Sequence, residues 1–485
     1  MNRSANAIRG RPCSALSRAL RAVPAGVLLV TALYLATLAL GVHTFDQFAG
    51  WFWPLRELFL PEPELVVAVA LLPAIALVVF GRRLGSVGAK LALLVVLGVA
   101  NQQGLALLEG HGFDALPRSM LRSGHAELLH VAAGVRDAPE LVTHFEARAE
   151  SGALGNYARS KPPGELLLYV ATFRAANAFR ATDDQPTDDR VAVERAAAFA
   201  AIVWPWFAYL AVVPLFFLTR RFMSERGALA VAVAYTLVPS IDLVVLHTDE
   251  AFFPLLAVTV AWLAASSVEH GNERRAVFAG VLAYLAAFCS FALLLVVPIA
   301  AAFAHGRLDA GANRVATLRR VGARFVAAFV TMSLVGFVLF RYDPLSRGAH
   351  ALAFHAAWKP RPGGFRGRYY FALLDGIEFA LWTGIPVFAL AVGDVGRSLR
   401  RVLRGSTRGL AMPALTVAAM VTFAAFFGEA KAETARLWAF FVPFVVVLAV
   451  ARLERFGERF PIAFASVAAF EWATTLLTKL HQDFW

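Results

Sequence analysis

Apolar runs of about 18 residues, each long enough for a helix to cross the hydrocarbon layer of a bilayer, recur along most of the chain with short basic clusters between them. This pattern predicts about thirteen spans, at residues 24–42, 64–80, 89–108, 196–218, 227–246, 250–265, 276–288, 289–304, 322–340, 370–392, 410–427, 437–451 and 461–477. One long polar stretch, residues 109–195, interrupts it. That stretch carries the segment Tyr157-Ala-Arg-Ser-Lys-Pro-Pro-Gly164 and, directly after it, an amphipathic run from Glu165 to Phe179. Loops longer than about 15 residues are usually functional or disordered. The Leu, Phe and Tyr content argues against disorder, so the stretch reads as a catalytic or binding loop. Residues 164–179 are short for a span and include Arg174 and Asn177, which predicts a helix lying on the outer face, with a short or re-entrant span as the alternative.

Composition agrees with the periodicity: 59% of residues are hydrophobic, only 16% are charged, there are 40 Phe and 10 Trp, and mean hydropathy is +0.62. These values exclude a soluble fold and predict an all-α polytopic integral membrane protein. The net charge of +12 does not point to nucleic acid. Its arginines and lysines fall between apolar runs, where they encode orientation and meet anionic lipid. Basic residues outnumber acidic ones by roughly 26 to 7 on the side assigned to the cytoplasm. That bias places the N-terminus inside and the loops 109–195 and 341–369 outside. The five arginines before the first run read as a retained signal anchor. Cys13 and Cys289 support neither a disulfide framework nor a thiolate metal site.

Lys161-Pro-Pro-Gly164, the amphipathic run after it and the span ending in Thr219-Arg-Arg-Phe222 resemble the Pro-Pro region of the GT-C membrane glycosyltransferases. That superfamily includes the protein O-mannosyltransferases and aminoarabinose transferases (glycosyltransferase family 39-like). Leu374-Asp-Gly-Ile-Glu-Phe379, Glu433-Thr-Ala-Arg-Leu-Trp438 and the ending Gln482-Asp-Phe-Trp485 are similar to an uncharacterised bacterial branch. The resemblance covers residues 89–485 and leaves 1–88, a basic tail with two spans, as an addition. It implies transfer of a sugar, hexosyl or pentosyl, from a polyprenyl-phosphate donor to a glycan, lipid or protein acceptor at the extracytoplasmic face of the cell membrane. It implies no certain cofactor, with a divalent metal ion left open, and it implies membrane lipid but no nucleic acid as a partner.

Such chemistry needs a carboxylate for the acceptor hydroxyl proton and cations for the donor phosphate. The base candidates are Glu127, Asp114 and His130. Glu127 is favoured, because His130 stands where the family carries its acid. The phosphate candidates are Arg436, Lys161 and Arg159. Arg436 would act as a bidentate fork at a helix end, and Lys161 stands beside the stiff Pro-Pro pair in place of the family's His. Tyr157, Asp249 and Glu433 complete the candidates. The loop histidines His125, His130 and His144 lack tight ligand spacing, so no metal site is assigned. Two other readings stay open. A transporter or flippase would need polar groups lining a path through the bilayer, whereas the polar residues here gather in loops. A catalytically degenerate relative would bind a lipid-linked sugar without transferring it.

Overall fold

A computed structural model describes residues 25–42, 44–45, 47–51, 53–55, 61–79, 83–178, 189–244, 247–308, 314–359, 364–427, 430 and 433–481. The tail arginines and Cys13, most of the acidic run at 183–189 and the ending at 482–485 lie outside these residues. The described chain is helical. It begins with α1 (Ala25–Ala39), α2 (Pro63–Val79) and α3 (Val87–Leu107). The polar stretch then folds as α4 (Ala115–Arg122), α5 (Ala126–Ala133), α6 (Ala138–Thr143), α7 (Phe145–Glu150), α8 (Gly155–Arg159) and α9 (Pro163–Asn177). Next come α10 (Asp189–Leu210), α11 (Val212–Thr219), α12 (Glu225–Tyr235), α13 (Pro239–Leu243), α14 (Thr248–Glu269), α15 (Glu273–Cys289) and α16 (Val296–Gly306). The chain continues through α17 (Arg314–Phe340), α18 (Pro344–Trp358), α19 (Gly364–Thr383), α20 (Ile385–Leu403) and α21 (Ala411–Phe427), and closes with α22 (Thr434–Leu437), α23 (Val442–Glu454) and α24 (Phe460–His481).

Among the described residues five helices are long and apolar enough to cross a membrane: Val87–Leu107, Asp189–Thr219, Glu250–Glu269, Val315–Phe340 and Gly457–His481. Four shorter apolar helices accompany them. Exposed Leu, Val and Phe side chains cover α1, α2 and α17, and only 6% of the apolar window of α17 is buried inside the protein. A polar solvent would not tolerate such a face. The molecule is an all-α membrane protein.

The structure redraws several of the expected spans. The run 370–392 is not straight: α19 and α20 meet at 114°. The break falls at Gly384, whose φ of 88° only glycine adopts freely, and Pro386 starts the new helix. The run 227–246 stops at Tyr235 and restarts at Pro239 as one short turn, because proline cannot continue the helix. The run 437–451 becomes a 3-10 turn followed by α23, which is 13 residues long. At ~20 Å it is too short to cross a hydrocarbon layer. Val442 through Ala451 of α23 are buried without exception, so this helix is a core rod enclosed by other helices.

The polar stretch builds its own core rather than a loop. Met120, Leu128, Leu129, Leu141, Phe145, Leu154, Leu166 and Tyr169 pack on the alanine-rich face of α10 formed by Ala196, Ala197 and Ala200. Small residues on α10 let the cap helices approach closely. The predicted helix after the two prolines is α9, with Pro163 at its first position and Leu166, Tyr169 and Val170 turned inward. This cap holds the residues of interest at one end of the bundle.

Candidate functional site

Arg436 is the point on which separate segments converge. It lies on α22, one turn after Glu433, and its Nη2 donates to Glu433 Oε2 at 2.5 Å. Its Nη1 donates to Nδ1 of His125, so that nitrogen is unprotonated. Its Nε lies 3.4 Å from Oε1 of Glu250. The other oxygen of Glu433, Oε1, accepts from Lys359 Nζ at 2.8 Å. The chain thus brings residues 125, 250, 359, 433 and 436 to one place.

Local structure explains each position. Glu433 and Arg436 are held because the amide of Ala435 donates to Glu378 Oε1 at 2.8 Å, and the same oxygen accepts from Trp53 Nε1 at 2.8 Å. The motif Leu374–Phe379 therefore acts from behind, anchoring the short helix α22. Glu250 is the third residue of α14 and caps its start, accepting from the His247 amide at 3.0 Å. The His247 ring is buried and fully used. Its Nε2 donates to Ser123 Oγ at 2.9 Å, since that hydroxyl donates to the Met120 carbonyl at 3.0 Å, and its Nδ1 accepts from Tyr169 OH at 3.2 Å. His125 follows Ser123 and Gly124 at the start of α5. A Cβ on Gly124 would stand 2.1 Å from the Tyr157 hydroxyl, so glycine is required there. The His125 ring packs 4.3 Å from Tyr157 and 4.5 Å from His247, centroid to centroid. Trp358 lies edge-on to Tyr157 at 5.1 Å and under Lys359 at 5.1 Å. The site therefore has an aromatic wall beside its cations.

Burial, and after it the nearby charges of Arg436, His247, Lys161 and Lys359, push the His125 pKa well below that of a free imidazole. The ring is neutral at pH 7. Burial works to raise the Glu433 pKa, but Arg436 and Lys359 outweigh it and hold the carboxyl below its ordinary range, so it is ionised. Burial raises the Tyr157 pKa. A depressed imidazole has a stability consequence. Above pH 6.5 neither the folded nor the unfolded His125 binds a proton. Below it the unfolded ring does and the folded one does not, so stability falls as pH drops, with a slope of up to about 1.4 kcal/mol per unit for this one group. Unfolding in detergent between pH 7.5 and 5 is expected to show this loss, and His125→Gln is expected to flatten it.

The sequence candidates separate in space. Arg436, Glu433, Tyr157 and Lys161 stand together: Lys161 pairs with buried Glu165 at 2.6 Å, and its charge acts on both His125 and Tyr157. Glu127 is one layer behind. Its Oε2 accepts the amides of Asn156 at 2.8 Å and Tyr157 at 2.9 Å, which fixes the start of α8. Arg159 faces another way, over the Phe354 ring at 4.1 Å, into a pocket of about 220 Å³ shared with Glu146, Arg347 and His350. Asp114 is exposed and pairs with Arg118 at 3.6 Å. His130 is exposed on α5. Neither is among the groups that meet Arg436. Asp249 lies in the first turn of α14, and its side chain lies outside the described residues.

In the sequence His125 reads as an ordinary loop histidine, and Glu250 is not among the site candidates. The spacing from His247 to Glu250 was a readable capping signal. Nothing beside His125 announced its burial. Among the described residues no group of three or more His, Cys, Asp or Glu side chains is arranged to hold a metal ion. The two acids at the centre are committed to cations and to a backbone amide, so no step below is routed through a metal. The structure also qualifies the expectation that polar residues stay in loops. Asp242 is buried between helices, accepting from Tyr209 OH at 2.5 Å and Asn101 Nδ2 at 2.9 Å, and Lys479 pairs with Glu109 inside the bundle.

No family model matches the chain, and no curated protein matches it. Among solved structures it is similar to a crystal structure of the Archaeoglobus fulgidus oligosaccharyltransferase in complex with Zn and sulfate, at 15% identity and a TM-score of 0.37, over 66% of this chain and 44% of that one. The chain spans less than half the length of that structure.

Proposed function

We propose that this protein is a membrane glycosyltransferase that moves a sugar from a polyprenyl-phosphate donor to an acceptor at the extracytoplasmic face. The observation that carries the reading is the bridge of Glu433 between Arg436 and Lys359, beside the aromatic wall of Tyr157 and Trp358. Arg436 offers a planar fork and Lys359 a point charge, the two kinds of donor a phosphate monoester or diester anion takes. Lys161, from the motif that resembles the Pro-Pro region, adds a third cation close by. A donor phosphate competes with Glu433 for these partners, and the displaced carboxylate is left ionised next to the reacting sugar.

The step is then a displacement. Glu433 accepts the proton of the acceptor hydroxyl as its oxygen bonds to the anomeric carbon. The bond from that carbon to the phosphate oxygen breaks, and the polyprenyl phosphate leaves with the electron pair. Its new charge is met by Arg436 and Lys359 where they already stand, so stabilisation requires little reorganisation. This assigns the base to Glu433 and gives Glu127, the candidate favoured by sequence, a positioning role through Tyr157.

Membranes containing the full chain, supplied with radiolabelled polyprenyl-phosphate sugars, test this. Glu433→Gln is expected to lower transfer by about 10²-fold or more. Glu127→Gln is expected to lower stability by about 1 kcal/mol through the loosened start of α8, with the smaller loss of transfer. Asp114→Asn is expected to leave transfer unchanged. Transfer surviving Glu433→Gln but not Glu127→Gln would return the base to Glu127. No transfer from any donor, with flux across proteoliposomes instead, would favour a carrier built on the buried Asp242.

A further inference from the structure

A second charged cavity lies far from the Arg436 site. It is an open pocket of about 470 Å³ lined by Arg397, Arg400, Arg401, Arg404 and Arg452. Three of these, Arg397, Arg400 and Arg401, sit on α20 and Arg404 caps its C-terminus, at intervals of three, one and three residues that keep all four on a single face. The fifth comes from the last turn of α23, a helix packed along α20. Arg452 is ten residues beyond the start of α23, or roughly 15 Å of helix rise, and α23 begins just after the Arg436 site. The cavity is thus at the opposite end of the bundle, the end that the charge count assigns to the cytoplasm.

The five lining residues are all arginines. One acid beside them, Asp394, pairs with Arg455 at 2.7 Å and its charge also reaches Arg397 and Arg452, a single carboxylate against six guanidinium groups. Like charges three or four apart on a helix repel, so the stripe is destabilising unless something neutralises it. A topological signal needs only positive charge on one side of the membrane. It does not need five guanidinium groups, from two segments distant in sequence, to face one pocket. The helix dipole favours some of these charges at the C-terminal end of α20 but does not gather Arg452 among them.

The geometry points to a binding site for a molecule carrying two or more phosphate groups. Guanidinium forks pair bidentately with phosphate oxygens, and five forks exceed what one phosphate can engage. Such a molecule is either a diphosphate-bearing soluble compound or a lipid headgroup with two phosphates. Both share the chemistry that this cavity recognises.

The test uses the full chain. Protein in zwitterionic detergent is titrated calorimetrically with inorganic pyrophosphate. The same protein is reconstituted into phosphatidylcholine nanodiscs with and without diphosphatidylglycerol, and retained lipid is read by native mass spectrometry. Binding of at least one probe is expected, weakened tenfold or more by Arg400→Gln with Arg401→Gln. The same charge removed elsewhere, Arg274→Gln with Arg319→Gln, is expected to change it less than twofold. Arg400→Lys with Arg401→Lys keeps the charge and loses the fork, and is expected to weaken binding at least threefold; it decides the matter if the glutamine pair fails to fold. Arginine-dependent pyrophosphate binding identifies a soluble ligand, and arginine-dependent enrichment of diphosphatidylglycerol identifies a lipid. Binding of neither probe, or equal loss in the control pair, overturns the proposal.

Discussion

Replacing Arg436 by methionine is expected to destabilise the protein by about 3–5 kcal/mol, the scale for removing one partner from a buried ion pair. Glu250 is fully buried and Glu433 nearly so. Without the guanidinium, Glu433 keeps Lys359 and Glu250 keeps the His247 amide, but each loses a cation in a place where water cannot replace it. His125 loses its donor as well. Arg436→Lys separates folding from function. A lysine keeps one positive charge near the two carboxylates, so unfolding in detergent is expected to move by less than half of the methionine effect. It cannot reach His125, Glu433 and Glu250 at once, nor grip a phosphate with two parallel bonds. Transfer is expected to fall by about 10²–10³-fold, the scale for losing one preorganised donor to developing charge. Wild-type transfer by a stably folded Arg436→Lys protein would show that the fork is structural only.

Gly164→Ala is expected to be the most damaging single methyl in the cap. A Cβ there would stand 2.4 Å from the carbonyl oxygen of Phe288 and 2.7 Å from its carbon. Those are backbone atoms at the end of α15, so relief requires moving α9 away from α15 rather than turning a side chain. Overpacking of this kind costs about 3 kcal/mol. Moving α9 also carries Tyr169 away from His247, so a drop in thermal midpoint is expected together with loss of transfer. Gly376→Ala is the matching control. Nothing lies within 4 Å of its added methyl, and it sits within α19. Alanine there is expected to leave stability unchanged or raise it by up to about 1 kcal/mol. Equal midpoints for the two variants would mean that α9 and α15 do not pack as described.

These two glycines show where a motif can mislead. In Lys161-Pro-Pro-Gly164 the prolines do what their chemistry requires, starting α9 at Pro163. The glycine reads as loop punctuation but serves as a helix contact. Leu374–Phe379 reads only as a stretch shared with relatives, and its work in the fold is structural: Glu378 faces inward and holds α22 by an amide.

What the sequence determined by itself is everything that rests on local periodicity and composition: an all-α chain, apolar runs long enough for a membrane, and a helix following Pro162-Pro163. Each follows from the 3.6-residue period or from the missing amide of proline, and neither depends on a distant residue. Candidates already adjacent on one short segment were legible for the same reason, so Glu433 and Arg436, or Tyr157 and Lys161, could be named in pairs. Only the tertiary structure decided that those pairs meet. His125 and Arg436 are 311 positions apart, and Lys359 reaches Glu433 across 74. Contacts at such separations arise from how helices pack, which depends on the shape of whole faces, and no local pattern records them. The same packing sent Arg159 to another pocket, turned Glu127 to the amides of α8, and bent the 370–392 run at Gly384.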